Sequence, residues 1–423
     1  MSDKRQPNLR RRSFLTGALI GAGAVGVAAS GAPALANAAE PLDVPAPPDH
    51  TPLTGHAPAV PFHGEHQNGI LHGAARQGAF LSCDAIADNK ADLTDLFQTL
   101  TARVRFLTGG GMPEPVGITA PPSDSGVLGP QVPADGLMVT VGVGASLFDD
   151  RYGLADRKPA RLTPMKEFPN DNLDAAWSHG DLMVQIAAPN TDTVVHAVRD
   201  ITRATRGGMQ VRWRMDGFNS VPRPAGTPRN LMGFKDGISN PSTQDGTAMR
   251  HLVWAGPGNG EQPWTAGGSY HVVRLIRMLV EFWDRVSVRE QENMFGRRRD
   301  TGAPLNGNHE HDTPNYVNDP IGTAIPLTAH IRRANPRTPD TDDNRILRHG
   351  YNYDLGMDVN GNLNQGLVFS AFMQDIHRQF EAIQTRLVDE PLVDYISPFG
   401  GGYFFALPGV RDSSDHFGRA LLG

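Results

Sequence analysis

The sequence predicts an α+β protein of two similarly built units, each an antiparallel sheet covered on one face by helices. Three observations predict it. The 423 residues correspond to two or three folding units at roughly 150 residues each. Strand-then-helix patterns recur in both halves of the chain. A Gly- and Pro-rich junction at residues 206–228 separates those halves. The 39% hydrophobic content supports ordinary cores, and the 47 Gly and 34 Pro are dispersed without a period, which excludes collagen-like and coiled-coil architectures.

In chain order, Arg10-Arg11-Arg12-Ser13-Phe14-Leu15 precedes an uncharged, Ala- and Gly-rich stretch at residues 16–39. Residues 1–39 therefore read as a twin-arginine signal peptide, with small residues at Ala34-Leu35-Ala36 or Ala36-Asn37-Ala38 offering a cleavage site. An uncleaved anchor is the competing reading; the segment barely reaches the ~20 apolar residues a span requires. The expected location is periplasmic or extracellular, and export of a folded chain suits a protein that acquires its cofactor inside the cell. Residues 40–60 are a Pro-rich linker. An N-terminal domain is expected over 61–220: a helix at 92–107, buried strands at 136–143 (GLMVTVGV) and 182–188 (LMVQIAA), and a helix at 191–205. A C-terminal domain is expected over 221–423, with a strand at 270–279 feeding a helix to about Met294, and a strand at 367–373 feeding a helix through Phe380, Ile383 and Leu387. The polar, Pro-rich stretch 300–343 is too long for a plain connection and is expected to be functional.

Charge and cysteine content narrow the chemistry. Lys+Arg 39 against Asp+Glu 45 gives −6, and removal of residues 1–39 makes it −10 (34 basic against 44 acidic), which argues against nucleic acid as a partner. The single cysteine, Cys83, excludes an intrachain disulfide framework and cysteine-rich metal sites. Any metal must then be held by His, carboxylate or a cofactor.

Gly233-Phe234-Lys235-Asp236-Gly237-Ile238-Ser239-Asn240-Pro241 sets an acid between glycines. That permits close backbone approach to a flat ligand and a fixed carboxylate for acid–base work; the alternative is a surface Asp-Gly turn. His330 is followed by Arg332, Arg333, Asn335, Pro336 and Arg337. Guanidinium groups beside a histidine suit a cofactor carrying carboxylates and a metal, as haem does, although a lone histidine is more often structural. Arg348 sits after Ile346-Leu347, where a buried cation needs a partner, and a structural ion pair is its plain reading. His309-Glu310-His311-Asp312 offers metal-ligating types in a polar loop that does not set their geometry.

These segments resemble one family. Residues 233–237 are similar to the GxxDG signature of dye-decolorizing peroxidases, and residues 330–337 to their HxRxxNPR haem segment. Residues 62–70 (FHGEHQNGI), 142–154, 346–353 and 400–410 (GGGYFFALPGV) resemble the twin-arginine-exported, deferrochelatase/peroxidase-like branch. The resemblance spans about residues 60 to 415. It implies two ferredoxin-like domains with one haem b in the C-terminal one. His330 would be the proximal iron ligand, with Asp394, or Asp375 failing that, hydrogen-bonded to its other ring nitrogen. Asp236 and Arg348 would act on hydrogen peroxide on the distal side, through a ferryl intermediate. Gly237, Ile238, Ser239, Asn335, Pro336 and Arg337 would contact the haem, and Leu367 and Phe369 would form an apolar wall or plain core. Small-molecule electron donors such as dyes and phenols would reduce the enzyme, with Tyr351, Tyr353, Tyr403, Trp213 and Trp264 as candidate relays. The competing function is iron release from haem, with iron-uptake partners; a cofactor-free structural module is a third. A homodimer is left open.

Overall fold

Residues 57–423 are described by the structure, a computed structural model; the signal-peptide reading and most of the linker lie outside the described residues. Residues Gly78 to Cys83 are buried on both faces, and the chain enters its core as strand β1 (Gln77–Ala85). Helix Lys90–Gly109 follows, begun by the Asn89 side chain accepting from the N–H groups of Ala91 and Asp92 and packed through Leu93, Phe97, Leu100 and Val104. Strands β2 (Met138–Gly144) and β3 (Leu182–Ala188), helix Thr191–Ala204 and strand β4 (Met209–Phe218) complete a β-α-β-β-α-β unit ordered β2-β3-β1-β4. The second half repeats it with β5 (Ser269–Met278), the two-residue β6 (Leu347–Arg348), β7 (Tyr351–Met357), β8 (Leu363–Met373) and β9 (Ile396–Ala406). Its order is β7-β8-β5-β9, with β6 alongside β8. Both are ferredoxin-like, as the α+β reading expects.

The two sheets are not separate. The last strand of each half pairs antiparallel with a strand of the other: β9 with β2 (Gly142↔Ala406) and β4 with β7 (Phe218↔Asn352). Because β5 also pairs with β8, the ring β5-β9-β2-β3-β1-β4-β7-β8 closes on itself, which leaves those eight strands without a free edge. Phe80, Met183, Trp213, Val273, Tyr351, Tyr353 and Phe404 fill a buried cluster shared by both halves. Each such side chain contributes about 1.5–3 kcal/mol on leaving water.

Three local readings change. Residues 209–218, inside the expected junction, form β4. The helix expected from 280 to about 294 is two short helices, Val280–Trp283 and Val288–Phe295, because the Ser287 hydroxyl accepts from Glu290 N–H and starts a new one. The helix through Phe380 begins as a π turn, His377–Glu381, before Ala382–Leu387.

Candidate active site

The outer face of the C-terminal sheet is the floor of a cavity. Alternation along β5 brings Arg274, Ile276 and Met278 to that face, and alternation along β8 brings Leu367 and Phe369. The antiparallel register sets Arg274 opposite Phe369 and Ile276 opposite Leu367. One wall is the loop carrying Asp236, Gly237, Ile238 and Ser239; Gly237 adopts φ +93°, a conformation that disfavours side chains. The other wall comes from the stretch 314–345 together with helix Ala382–Leu387 and the residues after it. The long polar segment lines the cavity, supplying Tyr316, His330, Asn335 and Arg337. The cavity is open to solvent at its mouth and has a volume of about 260 Å³.

His330 is the first residue of a one-turn helix, His330–Ala334. Its Nδ1 lies 2.7 Å from Oε2 of Glu390, a carboxylate only 4% exposed, so Nε2 is the nitrogen left for the cavity. Burial by itself would lower the imidazole's basicity; the charge and hydrogen bond of Glu390 outweigh it and raise the pKa above the usual histidine value. Asp236 and Arg348 line the same cavity and are ion-paired, Nη1 to Oδ1 2.8 Å. Asn240 fixes the arginine by its main chain, its Nδ2 donating to Arg348 O (2.7 Å) and its Oδ1 accepting from Arg348 N–H (3.1 Å). Asp236 N–H in turn donates to Pro228 O at 3.0 Å. A second, polar cavity shares Asp236, Gly237 and Arg348 with the first, so the pair stands where the two meet.

Cations outnumber anions around this space. Arg297 is buried, which pushes its pKa down to about 10 with Arg337 and Arg348 adding repulsion; its Nη1 donates to the main-chain oxygens of Gly302 and Glu310 instead of to a carboxylate. Arg274 is already ion-paired through Nη2 to the buried Asp171, although its Nε and Nη1 have no hydrogen-bond partner among the described residues. Burial likewise pushes the Tyr316 hydroxyl up to about 12. Such a donor set calls for a carboxylate-bearing guest.

Of the residues expected from sequence, Asp236, Gly237, Ile238, Ser239, His330, Asn335, Arg337, Arg348, Leu367 and Phe369 all line the cavity, and Pro336 does not. Asp394 is a correction. It is solvent-exposed in the turn Pro391–Tyr395, and the acid on the histidine is Glu390, which precedes that turn in extended conformation. Asp375 is instead ion-paired to Arg161 Nε at 2.6 Å. The 309–312 side chains do not converge: Glu310 turns inward to Lys235, His311 is exposed, and among the described residues no group of three metal-ligating side chains assembles. Trp213, Trp264, Tyr351, Tyr353 and Tyr403 are all buried.

Known proteins resemble this chain over most of its described length. Residues 67–219 match the profile of the N-terminal part of Dyp-type peroxidases, and residues 227–411 that of their C-terminal part. The chain belongs to the Dyp-type peroxidase family. A curated deferrochelatase of Escherichia coli K12 is 49% identical over 367 residues, covering 86% of this chain and 87% of that protein. The solved structure of a DyP-type peroxidase from Cellulomonas bogoriensis is 35% identical with a TM-score of 0.76, covering 86% of this chain and 98% of its own. Ferric DtpA from Streptomyces lividans is 32% identical with a TM-score of 0.78, covering 88% and 100%. This Dyp-type peroxidase is an oxidoreductase whose family cofactor is haem. The cavity fits that group. It has an imidazole with one free nitrogen, a floor of Ile276, Met278, Leu367 and Phe369 beside Arg274, and two guanidinium groups, Arg297 and Arg337, that form no carboxylate ion pair among the described residues.

Proposed function

We propose that this peroxidase uses Asp236 as the acid–base group and Arg348 as the charge-stabilising group in peroxide reduction, with haem b held by His330 and small-molecule donors supplying electrons. Haem, when bound, supplies the redox chemistry that the side chains lack. The observation that carries the reading is the Asp236–Arg348 pair at 2.8 Å, facing the His330 cavity on one side and a polar cavity on the other.

Peroxide enters by the polar cavity and meets the pair. Asp236 accepts the proton from one peroxide oxygen and delivers it to the other, which leaves as water. Arg348 donates hydrogen bonds to the departing oxygen as negative charge grows there, and Asn240 keeps it from following its ion partner. Glu390 holds the His330 ring so that Nε2 stays presented and strongly basic. Two electrons from two donor molecules and two further protons complete the conversion of peroxide to two waters. The buried state of all five candidate relays means that a bulky dye does not touch them directly.

The test is the second-order rate of peroxide-dependent dye oxidation by Asp236→Asn, with the haem absorption band intact. A loss of about 10²- to 10⁴-fold is expected; a rate within about threefold of the parent enzyme refutes the assignment. A second reading, iron release from haem to an iron-uptake partner, is favoured by the 49% identity to the deferrochelatase. Iron appearing in a chelator alongside intact, fluorescent metal-free porphyrin supports it; degraded porphyrin rules it out. Export by the twin-arginine route rests on Arg11-Arg12-Ser13-Phe14-Leu15, and retention of the Arg11→Lys, Arg12→Lys chain in the cytoplasm is its expected signature.

A further inference from the structure

Asp236 sits on a loop that nothing in its own Asp-Gly sequence would hold still. Main-chain contacts close the loop on itself, Asp236 N–H to Pro228 O and Arg229 against Lys235, and a further hold comes from a residue outside the cavity wall. Oε1 of Glu310 accepts from the Thr227 N–H at 2.8 Å and from the Thr227 hydroxyl at 2.7 Å, at the start of the loop. Oε2 of Glu310 is ion-paired to Lys235, the residue before Asp236, and Lys235 Nζ also donates to Ala225 O at 2.7 Å. The pair is withdrawn from solvent, with Lys235 4% and Glu310 12% exposed. Two glycines leave room for it. A Cβ on Gly226 would meet the Glu310 carboxylate, and one on Gly302 would lie 2.8 Å from Lys235 Cδ; both adopt positive φ. Arg297 anchors the far side by donating to the main-chain oxygens of Glu310 and Gly302.

We infer that Glu310 is a positioning residue for Asp236: by tying Thr227 and Lys235 to one carboxylate, it clamps both ends of the loop that presents the acid to Arg348. This rests on the role proposed above for Asp236. Asn240 places Arg348 and Glu310 places Asp236, so the two halves of the 2.8 Å pair have separate supports. Without the Glu310 charge, a buried ammonium is stranded one residue from the acid and the loop must rearrange to hydrate it. Loss of placement by even ~1 Å is costly to a proton-transfer step.

The test uses the haem-loaded full chain. Glu310→Gln keeps an acceptor for Thr227 and removes only the charge. It is expected to lower the second-order rate constant for peroxide about tenfold or more, leave the KM for dye and the haem content unchanged, and speed amide hydrogen exchange across residues 227–240. Lys235→Met in the Glu310→Gln background should add no further loss, since both act through one contact. Thr227→Val, a milder change, should give a smaller loss in the same direction. A peroxide rate within about twofold of the parent, a double variant whose losses multiply, or a loss explained by missing haem overturns the inference. If Asp236→Asn is itself harmless, the proposed role of Asp236 fails, and the exchange measurement still reports whether Glu310 clamps the loop.

Discussion

Replacing Glu390 by Gln tests how the fold sets the cofactor's electronics. The substitution keeps the side chain's shape and an acceptor oxygen facing His330 Nδ1, and removes one negative charge from a contact 2.7 Å long whose acid is 4% exposed. A hydrogen bond to a charged partner in such a place is worth about 1.5–3 kcal/mol. The charge favours the more positive, ferric state of the bound iron over the ferrous one, so its loss raises the ferric/ferrous midpoint. With about 1.4 kcal/mol corresponding to 59 mV for one electron, the expected rise is about 60–130 mV. Spectroelectrochemical titration of the haem-loaded protein at pH 7 reads this directly, independently of turnover. Asp394→Asn, on an exposed side chain, should shift it by less than about 20 mV. A fall in the midpoint for Glu390→Gln, or an equal shift in both variants, would refute the assignment of Glu390 as the histidine's partner.

Acid should destabilise the fold through two buried imidazoles. Burial pushes His271 down to about 3 and His349 down to about 4, so both are neutral in the native state and both gain a proton on unfolding below about pH 6.5. Their contribution is full above pH 6.5 and is lost as pH falls towards those values. By pH 5 each costs about 2 kcal/mol, and urea unfolding at pH 8, 6 and 5 should show the decline, flattened in His349→Gln. At the β4–β7 seam, Gly217→Ala would put a Cβ 2.6 Å from Tyr351 Cβ and 3.0 Å from Asn352 O; a destabilisation of about 1–3 kcal/mol is expected, and an unchanged melting temperature contradicts the packing described. Arg337→Leu removes a guanidinium that forms no carboxylate ion pair among the described residues. Haem transfer to an apo-globin acceptor should then quicken about tenfold, and an unaltered transfer rate would place the haem carboxylates elsewhere.

What the sequence revealed and what it hid divide along one physical line, whether a residue's role is settled by its neighbours in the chain. The runs at 136–143 and 182–188 and the helix at 191–205 are legible because burial on both faces, or on one helical stripe, imprints a local period. Strand β4 is not, since Arg212 and Arg214 sit on its exposed face among glycines and prolines that read as a junction. Strand β9 carries Gly400-Gly401-Gly402, which have no side chains to imprint a strand period. Those glycines answer to distant backbone: a Cβ on Gly401 would fall 2.0 Å from Val273 O in β5, and one on Gly400 would fall 2.4 Å from Trp177 O. The site follows the same rule. Asp236, His330 and Arg348 carry recognisable local motifs, whereas Glu390 is joined to His330 across 60 positions by the direction in which one turn leaves a helix. Choosing among Asp375, Glu390 and Asp394 needs that direction, and no spacing rule contains it. Ring closure makes the cavity possible for a similar reason. Only when β8 lies beside β5 do Leu367 and Phe369 join Ile276 and Arg274 in one floor, and that adjacency is a property of the folded sheet.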